Sequence, residues 1–289
     1  HAAGVVICQR NVDDFVPLAR TSDGNLVTQF TKDTVEHLGL LKMDFLGLRT
    51  LTVIEDAVRM ASEHEMEQVR RCGHGSDIWE KSPKQDNGML DLARIGTDDQ
   101  EVFSYITTGK CDGIFQLESS GMTQFLTSMK PSNFEDIIAA ISLYRPGPME
   151  SIPRYVAGKQ DPGSVQYLTP QLKPILDVTY GCMVYQEQVM QIVRDLAGYS
   201  MGRSDLVRRA MSKKKHDVMA REKEIFIHGQ LDDDGNVVVP GCVRGGVSEE
   251  AATRLFDEMT AFASYAFNKS HAAAYALVAV QTAWLKLKF

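Results

Sequence analysis

The sequence predicts an α+β fold in which a small β-rich segment precedes a mainly α-helical region. Apolar runs at residues 3–8 and 26–30, separated by the turn signal Asp23-Gly-Asn25, predict short strands. From about residue 50 onward the apolar side chains recur at three- and four-residue spacing, which predicts helices. Because 44% of the 289 residues are hydrophobic, the chain can bury a sizeable core.

The first elements follow in a simple order along the chain. A further strand is predicted over residues 40–45 and a helix over residues 50–70. A loop-rich boundary, with several Gly, Pro and Ser residues, is expected near 72–96. We therefore expect two domains, residues 1–50 and residues 51–289.

Turn and stop signals divide the helical region. The Pro146-Gly-Pro148 turn ends a helix that runs to Tyr144, and residues 150–168 are expected to be loop-rich. Gly198 ends a helix over residues 186–197. The remaining predictions are helices from about Ser204, over 248–262 and over 270–287, and a hairpin turn at Asp232 to Asn236.

Charge is unevenly distributed along the chain. The net charge is −7, yet residues 203–223 carry eight Lys or Arg residues against three acidic ones. A local basic patch on an acidic chain is typical of a protein that contacts phosphates through one face. The acidic net charge therefore does not exclude binding to nucleotides or nucleic acid.

The cysteines and the hydropathy exclude several classes of protein. Five cysteines are scattered singly, which argues against a disulfide framework and against a cysteine-based zinc site. There is no stretch of roughly 18 uninterrupted apolar residues and no signal-peptide pattern, so we expect a cytoplasmic protein without a membrane partner. The sequence opens with His1 in a strand-like run, and we expect it to be part of a longer protein.

Lys42 and Asp44 are the first candidate site residues. They stand two apart in a predicted strand, so they project from one face while Met43 and Phe45 point into the core. The carboxylate can hold Mg²⁺ and the lysine can meet phosphate charge, as phosphoryl chemistry requires. On spacing alone, a solvated pair of opposite charges on an edge strand is the simpler interpretation.

The segment from Asn268 to His271 stands at the start of an Ala-rich helix. Ser270 can cap this helix, and the free backbone N–H groups of its first turn carry partial positive charge. Together with Lys269 and His271, these groups predict a cradle for phosphate. An ordinary capped helix with a surface lysine and a packed histidine is the alternative.

A second set of cations lies upstream of this helix. Arg208 and Arg209 begin a basic stretch that continues through Lys213, Lys214 and Lys215. On a helix these residues form basic stripes on two adjoining faces, which suit a triphosphate or a nucleic-acid backbone. A solvated helix face is the alternative. Arg145, at the end of an earlier helix, is a further candidate for phosphate contact.

Several long motifs resemble one protein family, in the same order. They are His1-Ala-Ala-Gly-Val-Val6, Leu41-Lys-Met-Asp-Phe-Leu-Gly-Leu-Arg-Thr-Leu-Thr52, Gly113-Ile-Phe-Gln-Leu-Glu-Ser119, Leu143-Tyr-Arg-Pro-Gly-Pro-Met149, Arg208-Arg-Ala-Met211 and Phe267-Asn-Lys-Ser-His-Ala-Ala-Ala-Tyr275. Taken together they resemble the bacterial replicative DNA polymerase III alpha subunit. The resemblance runs from end to end, with weak patches near 61–95 and 226–245.

The resemblance implies an enzyme that adds dNTPs to a primer 3′ end by two-metal nucleotidyl transfer with Mg²⁺. Residues 1–50 are then a second palm segment, and residues 51–289 most of the fingers domain. Asp44 is implied as a catalytic metal ligand, supported by Lys42. The family's other two catalytic aspartates are implied to lie outside this chain, so we expect the chain alone to be inactive.

The resemblance also implies binding residues and partners. Incoming nucleotide is expected at Arg145, Arg208, Arg209, Asn268, Lys269, Ser270 and His271, and DNA at Lys213, Lys214 and Lys215. The implied ligands are dNTP and primer–template DNA. The sliding clamp, the proofreading exonuclease and the clamp loader are implied partners through regions outside this chain. Ala266 stands where the family usually has Gly, which is not expected to remove the cradle.

Two other kinds of function remain open from the sequence. The chain could be a non-enzymatic basic module that binds nucleic acid, whose affinity would fall steeply with salt whether or not a nucleotide is present. It could also be a structural fragment without retained binding, which would respond to neither nucleotide nor DNA.

Overall fold

The chain divides into two units, His1–Glu55 and Asp56–Phe289. The computed structural model describes residues 4–45, 47–212, 216–263 and 265–289, without the side chains of Asp44, Ser212 and His216. Short strands are concentrated in the first unit, and helices make up most of the second. This arrangement confirms the predicted α+β fold class.

The elements are numbered in chain order. The strands are β1 (Gly4–Ile7), β2 (Leu18–Arg20), β3 (Leu26–Thr28), β4 (Leu41–Asp44), β5 (Gln230–Leu231) and β6 (Val237–Val239). The helices are α1 (Lys32–His37), α2 (Arg49–Cys72), α3 (Asp77–Lys81), α4 (Gln100–Thr107), α5 (Ser120–Met129), α6 (Phe134–Leu143), α7 (Ile152–Gln160), α8 (Lys173–Leu176), α9 (Gln186–Ala197), α10 (Met201–Ser212), α11 (His216–His228), α12 (Glu249–Ala263) and α13 (Lys269–Lys288).

Two antiparallel strand pairs form the sheet structure of the first unit. β1 pairs with β4 in a register that sets Val6 opposite Lys42 and Gly4 opposite Asp44. β2 pairs with β3 through a turn in which Gly24 has a φ of +81°, a conformation that favours glycine. A small core of Val16, Val35 and Leu40 packs against these strands, with Val6, Cys8, Val12, Phe15 and Leu18 partly buried around it.

The prediction that Met43 and Phe45 point into a core is wrong. Met43 and Phe45 are 42% and 62% exposed, and Val5 and Leu41 are exposed as well. The alternation along β4 is present, but the core of this unit packs on the side of Val6. A period-two pattern marks two faces of a strand without stating which face the core covers.

In the second unit, helices α8 to α12 share an apolar core. Its most deeply buried members, each at most 2% exposed, include Val189, Val193, Met211, Phe226 and Phe256. The hairpin of β5 and β6 follows α11, and its turn is formed by Asp232 to Asn236 as predicted. Among the described residues, no helix combines the length and the apolar composition that crossing a membrane requires.

Helix α13 packs against α6 and α4 through a stripe of small residues. Ala272, Ala276, Ala279 and Ala283 follow one another at helical spacing, and all four are completely buried. Their small side chains allow the neighbouring helices to approach closely, and α6 is buried along most of its length. This packing fixes the start of α13 relative to the end of α6, which precedes Arg145.

Helix boundaries agree with the sequence in some places and differ in others. Helix α9 covers residues 186–197 and ends at Gly198 in a left-handed conformation, as predicted. Residues 150–168, expected to be loop-rich, contain α7, because Pro153 is compatible with the first turn of a helix. Helix α10 begins at Met201, one turn before the predicted start. The segment 72–96 includes α3.

Candidate functional site

The starts of α9 and α13 lie side by side in the second unit. Tyr185 and Phe267 form a parallel β-bridge. In it the backbone N–H of Gln186 donates to the carbonyl of Phe267 at 2.9 Å, and the N–H of Phe267 donates to the carbonyl of Val184 at 3.4 Å. Each helix begins within two residues of the bridge. Two helix N-termini, each with partial positive charge, are therefore neighbours.

Asn268, and not Ser270, caps α13. Its side-chain Oδ1 accepts a hydrogen bond from the backbone N–H of His271 at 2.9 Å, as expected of an N-cap residue. Ser270 is an exposed residue of the first helical turn. The prediction that Ser270 caps the helix is therefore wrong by two residues. Both residue types are good caps, and the sequence does not show which one leaves the helical backbone conformation.

A carboxylate of the chain already binds the first turn of α13. Glu187, from the first turn of α9, accepts the backbone N–H of Lys269 at 3.1 Å and the side-chain amide of Asn268 at 3.1 Å. The prediction of free N–H groups in this turn is therefore wrong for Lys269 and His271. A carboxylate at a helix N-terminus is favoured by the partial positive charge of that terminus.

The side chain of Lys269 is also close to a carboxylate. Its Nζ lies 2.9 Å from Oε2 of Glu135, and the two side chains are 35% and 46% exposed. Oε2 of Glu135 is itself buried, but an ion pair between side chains this exposed contributes only about 0.2–1 kcal/mol. The Nζ also lies 5.3 Å from the ring centroid of Tyr185. That ring is buried, and burial raises the pKa of the Tyr185 phenol.

Arg208 and Arg209 share the carboxylate of Asp205 on α10. Arg208 Nη2 donates to Oδ1 at 2.5 Å, and Arg209 Nε lies 2.7 Å from Oδ2. The hydrogen bond from Arg208 lowers the pKa of the Asp205 carboxyl. Arg208 Nη1 also donates to the side-chain oxygen of Gln186 at 3.1 Å. Arg208 is thus held between two helices with 19% of its side chain exposed, whereas Arg209 is 63% exposed.

Arg145 reaches the same segment from the end of α6. Its guanidinium carbon lies 4.4 Å from the ring centroid of Phe267, a cation–π contact. The chain turns sharply after it at Gly147, whose φ is +97°. A Cβ at Gly147 would lie 2.5 Å from the ring of Tyr265, so only glycine allows the turn and the segment before α13 to pack this closely.

Aromatic rings continue from Arg145 along the first turns of α13. The Phe267 ring meets the His271 ring with centroids 5.4 Å apart, and the His271 ring meets the Tyr275 ring at 4.4 Å. His271 is exposed, while Phe267 and Tyr275 are half-buried. This row of rings is not predicted from the sequence.

Most of the predicted nucleotide-binding residues converge on residues 266–271. Asn268, Lys269, Ser270 and His271 belong to this segment, Arg145 reaches it through Phe267, and Arg208 reaches it through Gln186. Arg209 is linked to Arg208 through Asp205. The three lysines Lys213, Lys214 and Lys215 lie outside the described residues. We use the name α13 cluster for the residues that converge here and the residues that bind them: Arg145, Arg208, Arg209, Asn268, Lys269, Ser270, His271, Glu135, Gln186, Glu187 and Asp205.

Lys42 and Asp44 belong to the first unit, on β4. Lys42 is half-buried and lines a cleft of about 490 Å³ within that unit. Asp44 pairs with Gly4 at the end of the strand, and its side chain lies outside the described part. In the part of the chain that the structure describes, no group of three or more His, Cys, Asp or Glu residues could hold a metal ion.

Sequence reasoning missed the groups that hold the α13 cluster together. Gln186, Glu187, Glu135 and Asp205 carry its internal hydrogen bonds and ion pairs. Gln186 and Glu187 were visible only as the start of a helix. Their partners lie far along the chain, since Glu187 contacts a residue 82 positions away, and no local pattern reports such a pair.

Comparison with known proteins gives a consistent result over the whole chain. Residues 50–234 match the family model described as the bacterial DNA polymerase III alpha subunit finger domain, and residues 1–47 match its alpha NTPase domain. Proteins named DNA polymerase III subunit alpha are similar to the chain, with 45% identity in Thermus aquaticus, 43% in Pasteurella multocida and 41% in Bacillus subtilis. Each alignment covers 100% of this chain but only 21% to 23% of the relative, so the chain spans about a fifth of their length.

Proposed function

Because the chain belongs to the bacterial DNA polymerase III alpha subunit family, we propose that its second unit binds the triphosphate of an incoming dNTP. The proposed parent enzyme is a replicative, DNA-directed DNA polymerase that extends a primer 3′ end on a template. The observation that carries the nucleotide assignment is the convergence of Arg145, Arg208 and Lys269 on the N-terminus of α13.

The charges of the α13 cluster suit a triphosphate. Arg208 has five N–H donors, of which three are used by Asp205 and Gln186, so donors are left for phosphate oxygens. Arg209 on α10 and His271 in the first turn of α13 are both exposed. At the start of α13 the ligand would compete with the carboxylates of Glu135 and Glu187, which bind there in the nucleotide-free chain. Mg²⁺ bound to the triphosphate would offset part of that repulsion.

The first unit has a separate role in this proposal. We assign residues 1–50 to a palm segment and residues 51–289 to the fingers, with Asp44 as a metal ligand and Lys42 as its support. Two-metal transfer needs carboxylates for two ions about 4 Å apart, and a single aspartate cannot hold both. We therefore expect no primer extension by this chain alone. Lys213, Lys214 and Lys215 would contact DNA, and clamp, exonuclease and clamp loader would bind other parts of the parent protein.

Titration of a fluorescent dATP with Mg²⁺ tests the nucleotide assignment. We expect saturable binding that Arg208→Ala/Arg209→Ala and His271→Ala each weaken by at least about ten-fold, since each removes charge-assisted contacts of about 1.5–3 kcal/mol. The matched control is Arg70→Ala/Arg71→Ala, because these adjacent arginines also share one carboxylate, that of Glu67, on an exposed helix end. A folded chain without saturable binding, or equal losses in the control, would contradict the assignment.

A further inference from the structure

One glutamine joins the two halves of the α13 cluster. The side-chain oxygen of Gln186 accepts Nη1–H of Arg208 at 3.1 Å, and its Nε2–H donates to the carbonyl of Ala266 at 2.9 Å. Its backbone N–H donates to the carbonyl of Phe267 at 2.9 Å. A single residue of α9 therefore contacts both the cation on α10 and the segment that leads into α13.

This contact decides where the Arg208 guanidinium lies. An arginine side chain has many rotamers, and the Asp205 carboxylate that binds it stands only three residues away on the same helix. Asp205 can therefore orient the guanidinium along α10 but cannot set its distance from α13. Gln186 supplies that constraint from a different helix, and it does so with both ends of one planar amide.

We propose that Gln186 is a positioning residue for the triphosphate: it holds Arg208 at a set distance from the N-terminus of α13 without touching the nucleotide. The inference rests on the proposed role of Arg208. A guanidinium held before the ligand arrives does not have to be ordered by the ligand, which strengthens binding. The role needs one acceptor and one donor at fixed separation, and the amide of glutamine provides both.

Gln186→Met is the direct test, because methionine keeps the length of the side chain and removes both hydrogen bonds. We expect the affinity for Mg²⁺–dATP and for inorganic tripolyphosphate to fall about three- to ten-fold, since the ligand must then order the Arg208 side chain itself. The loss of affinity must be similar for both ligands, because Arg208 is proposed to bind the triphosphate group that they share. In an Arg208→Ala background the same substitution must cause no further loss. Gln191→Met, on the same helix, is the control for the exchange itself.

Three results would overturn the proposal. The first is unchanged affinity in folded Gln186→Met while Arg208→Ala weakens binding. The second is an equal loss with and without Arg208, which would assign Gln186 a purely structural role. The third is unchanged affinity in Arg208→Ala, which would refute the nucleotide assignment of Arg208 itself.

Circular dichroism checks that Gln186→Met folds. If it does not fold, Gln186→Asn, which shortens the side chain by one methylene, gives the same comparison.

Discussion

At the scale of single residues, the α13 cluster pairs its cations with carboxylates of the same chain. Glu135 binds the side chain of Lys269, Glu187 binds its backbone N–H, and Asp205 binds Arg208 and Arg209. Without these carboxylates, several positive groups and two helix N-termini would repel one another. The carboxylates therefore keep the cations ordered in the absence of nucleotide. In the proposed complex, phosphate oxygens compete with them for the same cations.

Glu135→Gln should tighten triphosphate binding. The substitution removes the charge that pairs with Lys269 and, in this structure, leaves the Glu187 contact to the helix backbone in place. Because the pair is half-exposed, we expect a gain of at most about five-fold in affinity, measured by dATP titration at low salt. Glu67→Gln removes an equal charge from the end of α2 and should leave the affinity unchanged. Weaker binding in Glu135→Gln would contradict the competition between carboxylate and phosphate.

At the scale of elements, the first turn of α13 depends on Asn268. Asn268→Ala removes the side-chain acceptor of the His271 N–H and should lower the free energy of unfolding by about 1 kcal/mol in urea titrations. Ser270→Ala is the matched control, because Ser270 is exposed within the turn and is not the cap. A larger loss in Ser270→Ala than in Asn268→Ala would show that the serine caps the helix in solution.

Local patterns predict elements better than they predict contacts between them. Helix α9 was placed correctly at both ends, because Gly198 is a strong stop signal and the apolar spacing before it is regular. The buried face of β4 was predicted wrongly, since the alternation that includes Met43 and Phe45 distinguishes two faces without showing which one packs against the core. The cations of the site could be found in the sequence. Their organisation by Gln186 and Glu187 could not, because it depends on packing between residues far apart in the chain.

At the scale of the whole molecule, the buried thiols report on the integrity of the second unit. Burial raises the pKa of Cys182 to about 11 and that of Cys242 to about 12, from an ordinary value of 9.0. The thiolate is the reactive form, so we expect an aromatic disulfide reagent at pH 8 to label exposed Cys72 rapidly and these two only on unfolding.

The same pKa values predict a loss of stability in alkali. Between pH 9 and about 11, both thiols are protonated in the folded chain and ionised in the unfolded chain. The folded state then binds more protons, so the free energy of unfolding must fall as the pH rises through this range. Cys242→Ala should reduce the slope of that decline in urea titrations at several pH values. An unchanged slope, or rapid labelling of Cys242 at pH 8, would contradict the burial of this thiol.

The family assignment covers the whole chain, which spans about a fifth of the length of its relatives. The proposal for this chain by itself is therefore tested by ligand binding. A basic nucleic-acid module would bind DNA with the same steep salt dependence with or without dNTP, while a nucleotide site should be occupied by dNTP or tripolyphosphate in the absence of DNA.

The most direct test of the central claim is an NMR titration of the isotope-labelled chain with Mg²⁺–dATP. We predict saturable shifts in the backbone N–H resonances of Asn268, Lys269 and His271 and in the side-chain Nε–H of Arg208. Three of these groups now bind Glu187, Asn268 and Asp205, so phosphate that displaces or approaches these partners must change their resonances. Saturable binding that leaves all four resonances unmoved would place the nucleotide elsewhere and contradict the account.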